Sequence, residues 1–391
     1  MMTSESAADE VTPVARPPHV VLLTTSLDVS GAERVMALVA EGLAREGYRV
    51  SVTALMKRSG ALADIIRHPD VQVFDFGMSG RLDVGVAGRV TRWLEDEQVS
   101  VLYTFLYHSH VVGRYAGHRA GVPHIISSQQ VANWGGPGRR ALDRWTARWC
   151  DRIVAVSEGV RDDVVHGMRF PAEKVRTIYN AVEVDTFQPR RPAFTAAAPG
   201  HQVVIGSASR LAAEKDHESL IRGFALARTR MPTLLLRLAG SGPLAPHLQS
   251  VVSQVGLGDS VQLLGHVSDM RAFYETLDVY VQPSRTEGLP CAVVEAMAME
   301  RPVVATDVPG NRDAVEPGVT GWLIPPGSPS AWADALVTAA QNPHISVEFG
   351  LAGRRRAEAL FDVRSMIAST VRLLDELVPR PVRPVQMQAT R

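Results

Sequence analysis

The sequence predicts an α/β protein built from two doubly wound domains. From His19 onward, short runs rich in Val, Ile and Leu alternate with helix-length amphipathic segments. The runs are apolar at nearly every position, as expected for strands of a parallel sheet that helices cover on both faces. The alternation stops at a stretch rich in Pro, Ala and Arg, residues 188–201, and then begins again, which predicts two domains joined by a linker.

The strands can be placed in order along both halves. In the first half, the apolar runs predict strands at residues 19–26, 49–56, 71–76, 101–107, 124–129 and 152–157. The segment after the first run is predicted to be a helix, because its apolar residues repeat at helical spacing, at Val35, Leu38, Val39 and Leu43. In the second half, strands are predicted at 202–209, 233–240, 261–265, 278–284, 301–306 and 321–326. Two such domains leave a cleft, and ligands of open α/β sheets bind just beyond the carboxyl ends of the strands.

The composition is that of an ordinary globular protein. Of the 391 residues, 46% are hydrophobic and 21% are charged, and 41 Lys and Arg balance 41 Asp and Glu, so the charge gives no reason to expect nucleic acid. The two cysteines, Cys150 and Cys291, are far apart in sequence, which argues against a disulfide framework or a zinc site and fits a reducing cytoplasm. Because no run approaches about 18 apolar residues, no transmembrane helix is expected.

The domain boundaries follow from the same patterns. The acidic, polar segment 1–18 lacks the basic start and apolar centre of a signal peptide and is predicted to be disordered, as is the tail 379–391. Between them we expect an N-terminal domain at 19–190, a linker at 191–201 and a C-terminal domain that begins at 202 and ends at 360.

Glycine and cationic residues lie at the predicted strand ends. Gly31 opens the helix after the first strand, where backbone N–H groups can meet an anion, although an ordinary βα turn explains it equally well. Arg210 and Lys215 follow the first strand of the second half, and two cations at a strand end suit a diphosphate. The competing interpretation is a solvated helix start with Glu214 and Asp216 as partners.

Two carboxylates with seven residues between them follow the strand "DVYVQ". Glu287 precedes a Gly-Leu-Pro turn, and Pro290 fits the first turn of the next helix. Glu295 lies inside that helix among apolar residues, where a carboxylate is rarely buried unless it is paired. Two acceptors that flank a phosphate-binding helix start suit the hydroxyls of a nucleotide-linked sugar. We expect one carboxylate to serve the sugar and the other the ribose.

Several other nucleotide motifs are missing from the sequence. Neither G-x-G-x-x-G nor G-x-x-x-x-G-K-[ST] occurs, which argues against dinucleotide and P-loop sites. No D-x-D pair suited to a divalent ion on a nucleotide sugar occurs either, so neither a metal nor a cofactor is expected.

The combined motifs resemble the large retaining glycosyltransferase family four, which has the GT-B fold. The matching segments are "SGAER", "VSEGVRDDV", "TIYNAVEVDTF", the Arg210 and Lys215 pair, "GSGP", "LLGHV" and "EGLPCAVVEAMAMERPVVATDVPGNRDAV", which span about residues 19 to 375. The resemblance implies two Rossmann-like domains facing across a cleft, with a C-terminal helix at 361–378 that crosses back to the first domain.

The resemblance also implies a role for the cationic and glycine positions. Gly31 would pack its backbone against the donor phosphate and the reacting sugar. Arg210 and Lys215 would neutralise the diphosphate leaving group, and with the helix start at Pro290 they would replace a metal ion.

For the rest of the donor, the resemblance implies contacts in the second domain. The backbone of Val267 would meet the base. Glu287, as a catalytic residue, and the amides of Gly288 and Leu289 would hold the donor sugar, and Glu295 would bind the ribose hydroxyls.

A catalytic histidine is the point at which the chain departs from the family pattern. Many relatives carry it after the fourth strand of the first domain, where this chain reads "YTFLYHSHVVG". An ungapped match places Phe105 there, with His108 and His110 close behind. We favour His108, at the helix start, as the group near the donor sugar. The alternatives are that His110 has this role, or that His108 only caps the helix and Phe105 marks lost chemistry.

The resemblance implies transfer of a hexosyl-type sugar from a UDP- or GDP-sugar to a hydroxyl of a saccharide or lipid-linked acceptor in cell-envelope or exopolysaccharide synthesis. It implies that the enzyme is cytoplasmic. One segment of the first domain is rich in Trp and Arg. It is consistent with three interpretations: peripheral membrane contact, an acceptor surface, or a helix packed on its own domain. Its residues of these two types are Trp134, Trp145, Trp149, Arg139, Arg140, Arg144 and Arg148.

Two other functions fit the same architecture. One is a sugar-nucleotide epimerase, although the cleft segments lack a convincing additional set of acid and base residues. The other is a sugar-nucleotide-binding protein that has kept the donor site and lost catalysis.

Overall fold

The protein is described here by a computed structural model, which covers residues 16–28, 30–56, 61–80, 83–131, 135–191, 194 and 202–378. The segments 1–15 and 379–391, most of the expected linker, and Trp134 lie outside the described residues. The predictions made for them therefore stay predictions.

The N-terminal sheet has seven parallel strands in the order β3-β2-β1-β4-β5-β6-β7. Their bounds are β1 His19–Ser26, β2 Arg49–Met56, β3 Val71–Asp75, β4 Val101–Phe105, β5 His124–Gln129, β6 Arg152–Ala155 and β7 Val175–Thr177. Sequence patterns predict the first six of these strands. They miss β7, because three residues are too few to show a period.

The C-terminal sheet has six parallel strands in the order β10-β9-β8-β11-β12-β13. Their bounds are β8 Val203–Ala208, β9 Leu234–Ala239, β10 Val261–Gly265, β11 Val279–Gln282, β12 Val303–Thr306 and β13 Gly321–Ile324. Both sheets are doubly wound, which confirms the predicted α/β fold of two Rossmann-like domains.

Helices connect the strands of both sheets. In the first domain they are α1 Gly31–Arg45, α2 Ala61–Ile65, α3 Gly85–Asp96, α4 Tyr107–Arg119, α5 Pro137–Ala147 and α6 Glu158–Asp162. In the second they are α7 His217–Arg230, α8 Ala245–Gln254, α9 Met270–Glu275, α10 Cys291–Ala298, α11 Pro309–Ala314, α12 Pro329–Gln341, α13 Pro343–Leu360 and α14 Val363–Leu377. None of these helices is both long enough and apolar enough to cross a membrane.

Several predicted strands are one or two residues too long at the carboxyl end, and at β4 the early end has a backbone cause. The apolar run at 101–107 predicts a strand up to Tyr107, but β4 stops at Phe105 and α4 begins at Tyr107. Leu106 lies between them with φ 68° and ψ 158°, a conformation that non-glycine residues rarely adopt. This turn ends the strand two residues early and places His108 in the first turn of α4.

The last helix packs on the first domain. Met366, Leu373 and Leu374 of α14 belong to the apolar core that lies beneath β1 and α1. The hydroxyl of Tyr48 donates to Oδ1 of Asp375 at 2.7 Å. The chain therefore joins its two domains both between β7 and β8 and through α14.

Candidate active site

The predicted site residues follow four strands at the centres of the two sheets. In each doubly wound sheet, two neighbouring central strands lead into connections that run in opposite directions, β1 and β4 in the first and β8 and β11 in the second. Ligands bind in the crevice at the carboxyl ends of such strand pairs. Gly31, His108, Lys215 and Glu287 come directly after these strands, in the order β1, β4, β8 and β11.

Glu287 and Lys215 form an ion pair. Lys215 Nζ donates to Oε1 of Glu287 at 2.5 Å, although 72 residues separate them. The same oxygen accepts bonds from Gln282 Nε2 at 2.7 Å and from Ser284 Oγ at 2.5 Å. Glu287 is only 7% exposed, so its carboxylate is held in one position. Among the described residues, no donor bonds to Oε2.

Glu295 is buried and paired, as a carboxylate inside α10 requires. The hydroxyl of Tyr274 donates to its Oε2 at 2.7 Å, and no described residue bonds to Oε1. Burial raises the pKa of Glu295, while the Tyr274 bond and the positive charge of Arg34 act in the opposite direction. Cys291, the first residue of α10, packs against the apolar core of the first domain, to which α1 contributes.

The start of α10 presents free backbone donors. Pro290 is the N-cap and not the first helical residue, so α10 begins at Cys291. The amides of Gly288 and Leu289 donate to no described residue, nor does the backbone of Val267 form a hydrogen bond within the described chain. Unpaired N–H groups at a helix start, with the positive end of the helix dipole, favour an anionic or hydroxyl-rich ligand.

The cations that follow β8 and β11 have partners that the sequence predicts only in part. Arg210 is exposed and pairs with Glu214 one turn away, as in the solvated interpretation. Asp216 pairs instead with Arg285, at 3.1 Å. Arg285 is a third cation of this cluster that sequence reasoning missed. Its position two residues before Glu287 is the sequence signal that could have identified it.

Gly31 leaves open space in front of α1. Apart from its chain neighbours and the backbone of its own helix, no heavy atom of the described chain lies within 4 Å of the point where a Cβ on Gly31 would be. The side chain of Ser30, the N-cap, donates to the Glu33 carboxylate. The first turn of α1 is therefore stabilised by its own residues, while the face at Gly31 stays open.

The two histidines that follow β4 have different environments. His110 is 2% exposed, and its Nδ1 lies 2.8 Å from Thr104 Oγ1. Burial, reinforced by the nearby Arg114, lowers the pKa of His110 well below its usual value. His108 is half-buried in the first turn of α4, with its ring edge-on to Tyr107. Phe105 is buried in β4 against Tyr103.

The domains meet directly beside the start of α10. A Cβ on Gly288 would collide with the carbonyl oxygen of Gln130, which follows β5 in the first domain. Gly159 is packed in the same way against Pro309, and its amide donates to Oδ2 of Asp313 at 3.0 Å. These contacts place the residues after β11 opposite the carboxyl end of β5, and those after β12 opposite α6, which follows β6.

Comparison with known proteins identifies the family. A model for glycosyltransferase family 4 matches residues 29–186, and one for the glycosyl transferases of group 1 matches residues 202–342, so the two matches cover both domains. The chain belongs to glycosyltransferase family 4.

Two curated glycosyltransferases are similar to this family 4 transferase. It is 29% identical over 286 residues to D-inositol 3-phosphate glycosyltransferase of Saccharomonospora viridis, covering 66% of either chain. It is 29% identical over 214 residues to alpha-D-kanosaminyltransferase of Streptomyces kanamyceticus, covering 51% of this chain and 55% of the relative. The match thus spans less than two thirds of the length of either relative.

Solved structures show the same GT-B fold. Anabaena Alr3699/HepE, solved in complex with UDP and glucose, superposes with a TM-score of 0.80 at 20% identity over 92% of this chain and 100% of that one. The described residues of the family 4 transferase contain no group of three or more His, Cys, Asp and Glu arranged to hold a metal ion. Its two cysteines are free thiols.

Proposed function

We propose that this family 4 transferase moves a hexosyl-type sugar from a UDP- or GDP-sugar to a hydroxyl of a saccharide or lipid-linked acceptor. The acceptor would belong to cell-envelope or exopolysaccharide synthesis, and the reaction would take place in the cytoplasm. The HepE structure with UDP and glucose supports a nucleotide-sugar donor.

This proposal rests on a feature that the carboxylates of Glu287 and Glu295 have in common. Each uses one oxygen within the protein, Oε1 in Glu287 and Oε2 in Glu295, and no described residue donates to the other oxygen. A carboxylate oxygen accepts hydroxyl groups strongly, and a held carboxylate accepts them without reorganising. We assign Glu287 to the donor sugar and Glu295 to the ribose.

The diphosphate would bind between these carboxylates. Lys215 carries three N–H donors, of which Glu287 engages one, so the remaining two can bind phosphate oxygens. The free amides of Gly288 and Leu289, the open face at Gly31 and the exposed guanidinium of Arg210 complete the cradle. Together, these groups would stabilise the departing diphosphate without a metal ion.

The proposed reaction retains the anomeric configuration. The bond between the sugar C1 and the diphosphate oxygen breaks, and the nucleoside diphosphate leaves with the electron pair. The acceptor hydroxyl bonds to C1 from the same face and passes its proton to the departing phosphate oxygen. His108 would contact the donor sugar during this step. The contact between Gly288 and Gln130 would keep water away from the reacting centre.

Calorimetric titration of the full chain with UDP, GDP and ADP tests the donor site. We expect one nucleotide to bind, and Glu295→Ala to weaken that binding by about ten-fold or more, because a bond to a charged acceptor contributes about 1.5–3 kcal/mol. Glu348→Ala, which removes an exposed carboxylate from α13, is the matched control and should leave binding unchanged. Absence of binding to all three nucleotides would contradict the proposed function.

A further inference from the structure

A cavity lies on the first domain, away from the candidate active site. It has a volume of about 260 Å³ and lies between the end of α5 and the segment that precedes β7. These two segments lead into the amino ends of β6 and β7, whereas the candidate active site lies at the carboxyl ends of the strands. The cavity therefore opens at the opposite edge of the sheet.

Four cationic side chains line this cavity without an acidic one among them, namely Arg144, Arg148, Arg169 and Lys174. Within the described chain, none of the four forms an ion pair with a carboxylate. Cations in the last turn of a helix stabilise its dipole, which accounts for Arg144 and Arg148. It does not account for Arg169 and Lys174, which come from a different segment. Four positive charges around one small volume repel one another and favour an anion between them.

The backbone also holds Arg169 at the cavity in an unusual conformation. Its φ is 55°, in the left-handed region that glycine adopts at no cost. A non-glycine residue keeps this backbone conformation only where the surrounding structure imposes it, and such strained residues are frequent at ligand sites. The neighbouring Met168 and Phe170 are buried and give the cavity an apolar floor.

The surface next to the cavity is apolar and aromatic. Leu142 and Trp145, three residues apart on α5, are 41% and 48% exposed, and Tyr115 of α4 is 42% exposed. The guanidinium of Arg148 lies over the rings of Trp145 and Trp149, at 4.4 and 4.8 Å. Exposed Leu and Trp beside several Arg are typical of a helix that lies in a membrane interface, whereas a site for free phosphate has no need of them.

We propose that α5 lies on an anionic lipid surface and that the cavity binds the phosphate of a lipid headgroup. Arg144, Arg148, Arg169 and Lys174 provide the positive charge, and Leu142 and Trp145 enter the interface. Because α5 begins after β5, at the cleft edge, and ends at the cavity, a membrane along this helix reaches from the cavity to the cleft. This inference goes beyond the transfer reaction and does not depend on it.

Vesicle flotation with the full chain tests the charge requirement. We expect binding to vesicles of phosphatidylcholine with about one third phosphatidylglycerol, little binding to phosphatidylcholine alone, and loss of binding at high salt. Arg169→Gln/Lys174→Gln should weaken binding by about thirty-fold, since each cation near an anionic surface contributes about five-fold. Arg222→Gln/Arg355→Gln removes two exposed cations from the second domain and should leave binding unchanged.

A second pair of variants tests the apolar contribution. Leu142→Ser/Trp145→Ser should weaken vesicle binding by ten-fold or more while nucleotide binding stays as in the wild type. Leu226→Ser, at a residue that is 48% exposed on α7, is the control and should have no effect.

Three results would overturn the proposal. One is equal binding to neutral and anionic vesicles, and another is binding that none of these substitutions reduces. The third is a site for free phosphate: inorganic phosphate would raise the melting temperature in a way that depends on Arg169 and Lys174, while the protein would not float with anionic vesicles.

Discussion

The ionisation of Glu295 links the donor site to pH. Burial raises its pKa, so the folded protein holds this proton more tightly than the unfolded chain does. As the pH rises through the folded-state pKa, the carboxylate ionises within the fold and stability falls. A ribose hydroxyl needs the ionised form as its acceptor. Stability and nucleotide affinity therefore respond to this group in opposite directions.

We expect nucleotide affinity to fall on acidification from neutral pH, beginning above the ordinary carboxylate pKa of 4.5 because the pKa of Glu295 is raised. Glu295→Gln should bind more weakly at neutral pH and lose this dependence, since Gln does not titrate. Calorimetry across pH 4.5–8 measures both effects. Affinity that falls identically in wild type and variant would show that another group controls it.

His108 and His110 should respond differently to replacement by alanine. His108→Ala should lower the transfer rate by about 100-fold with little change in nucleotide binding, if its imidazole contacts the reacting sugar. His110→Ala should instead lower the free energy of unfolding by about 1–3 kcal/mol, because it removes the buried bond to Thr104.

Transfer assays with nucleotide binding and thermal unfolding distinguish these two outcomes. Unchanged turnover in His108→Ala would remove its proposed role. A wild type that binds donor but transfers to no acceptor would favour a binding protein over an enzyme.

Packing between α1 and α14 depends on a glycine. A Cβ on Gly42 would overlap Cδ1, Cγ1 and Cγ2 of Ile367, and a β-branched side chain in a helix has little freedom to move away. The two helices can therefore approach closely only because Gly42 has no side chain. α14 in turn covers part of the core of the first domain.

We expect Gly42→Ala to lower the free energy of unfolding by about 1–3 kcal/mol through overpacking. Gly88→Ala, inside α3, is the matched control, since no described atom outside the backbone of its own helix and its chain neighbours lies within 4 Å of the added Cβ. That substitution should stabilise the protein by about 0.5–1 kcal/mol, because alanine favours a helix interior over glycine. Denaturant unfolding measures both changes, and equal effects would argue against the close contact of α1 and α14.

The arrangement of the domains depends on close backbone contact at Gly288. Gly288 lies against Gln130 of the other domain, and a Cβ on Gly310 would in turn collide with the carbonyl oxygen of Gly288. Three backbone segments therefore stack across the interface. A side chain at the middle position would separate them.

Gly288→Ala should open the interface, with a larger radius of gyration in solution scattering and a transfer rate lower by ten-fold or more. Nucleotide binding should change by only a few-fold, since alanine keeps the amide. Gly258→Ala, at a C-domain loop position with nothing described within 4 Å of its Cβ, is the control. A variant that stays compact and fully active would contradict this role.

Local sequence patterns were sufficient for the fold and for the segments that carry the site. Apolar periodicity and strand-like runs report on neighbours along the chain, so they predicted both sheets and the loops that hold Gly31, Lys215 and Glu287. They failed where local signals were weak: β7 has only three residues, and Leu106 ends β4 early by a backbone conformation that no pattern indicates.

Contacts between distant segments needed the folded chain. Lys215 and Glu287 were assigned to different parts of the donor, and only folding brings them together, across 72 residues. His108 and His110 are alike in sequence, but α4 buries one and leaves the other at the helix start. Arg144 and Lys174 meet at one cavity for the same reason. Side-chain environment depends on the elements packed around a residue, and that information is spread over the whole chain.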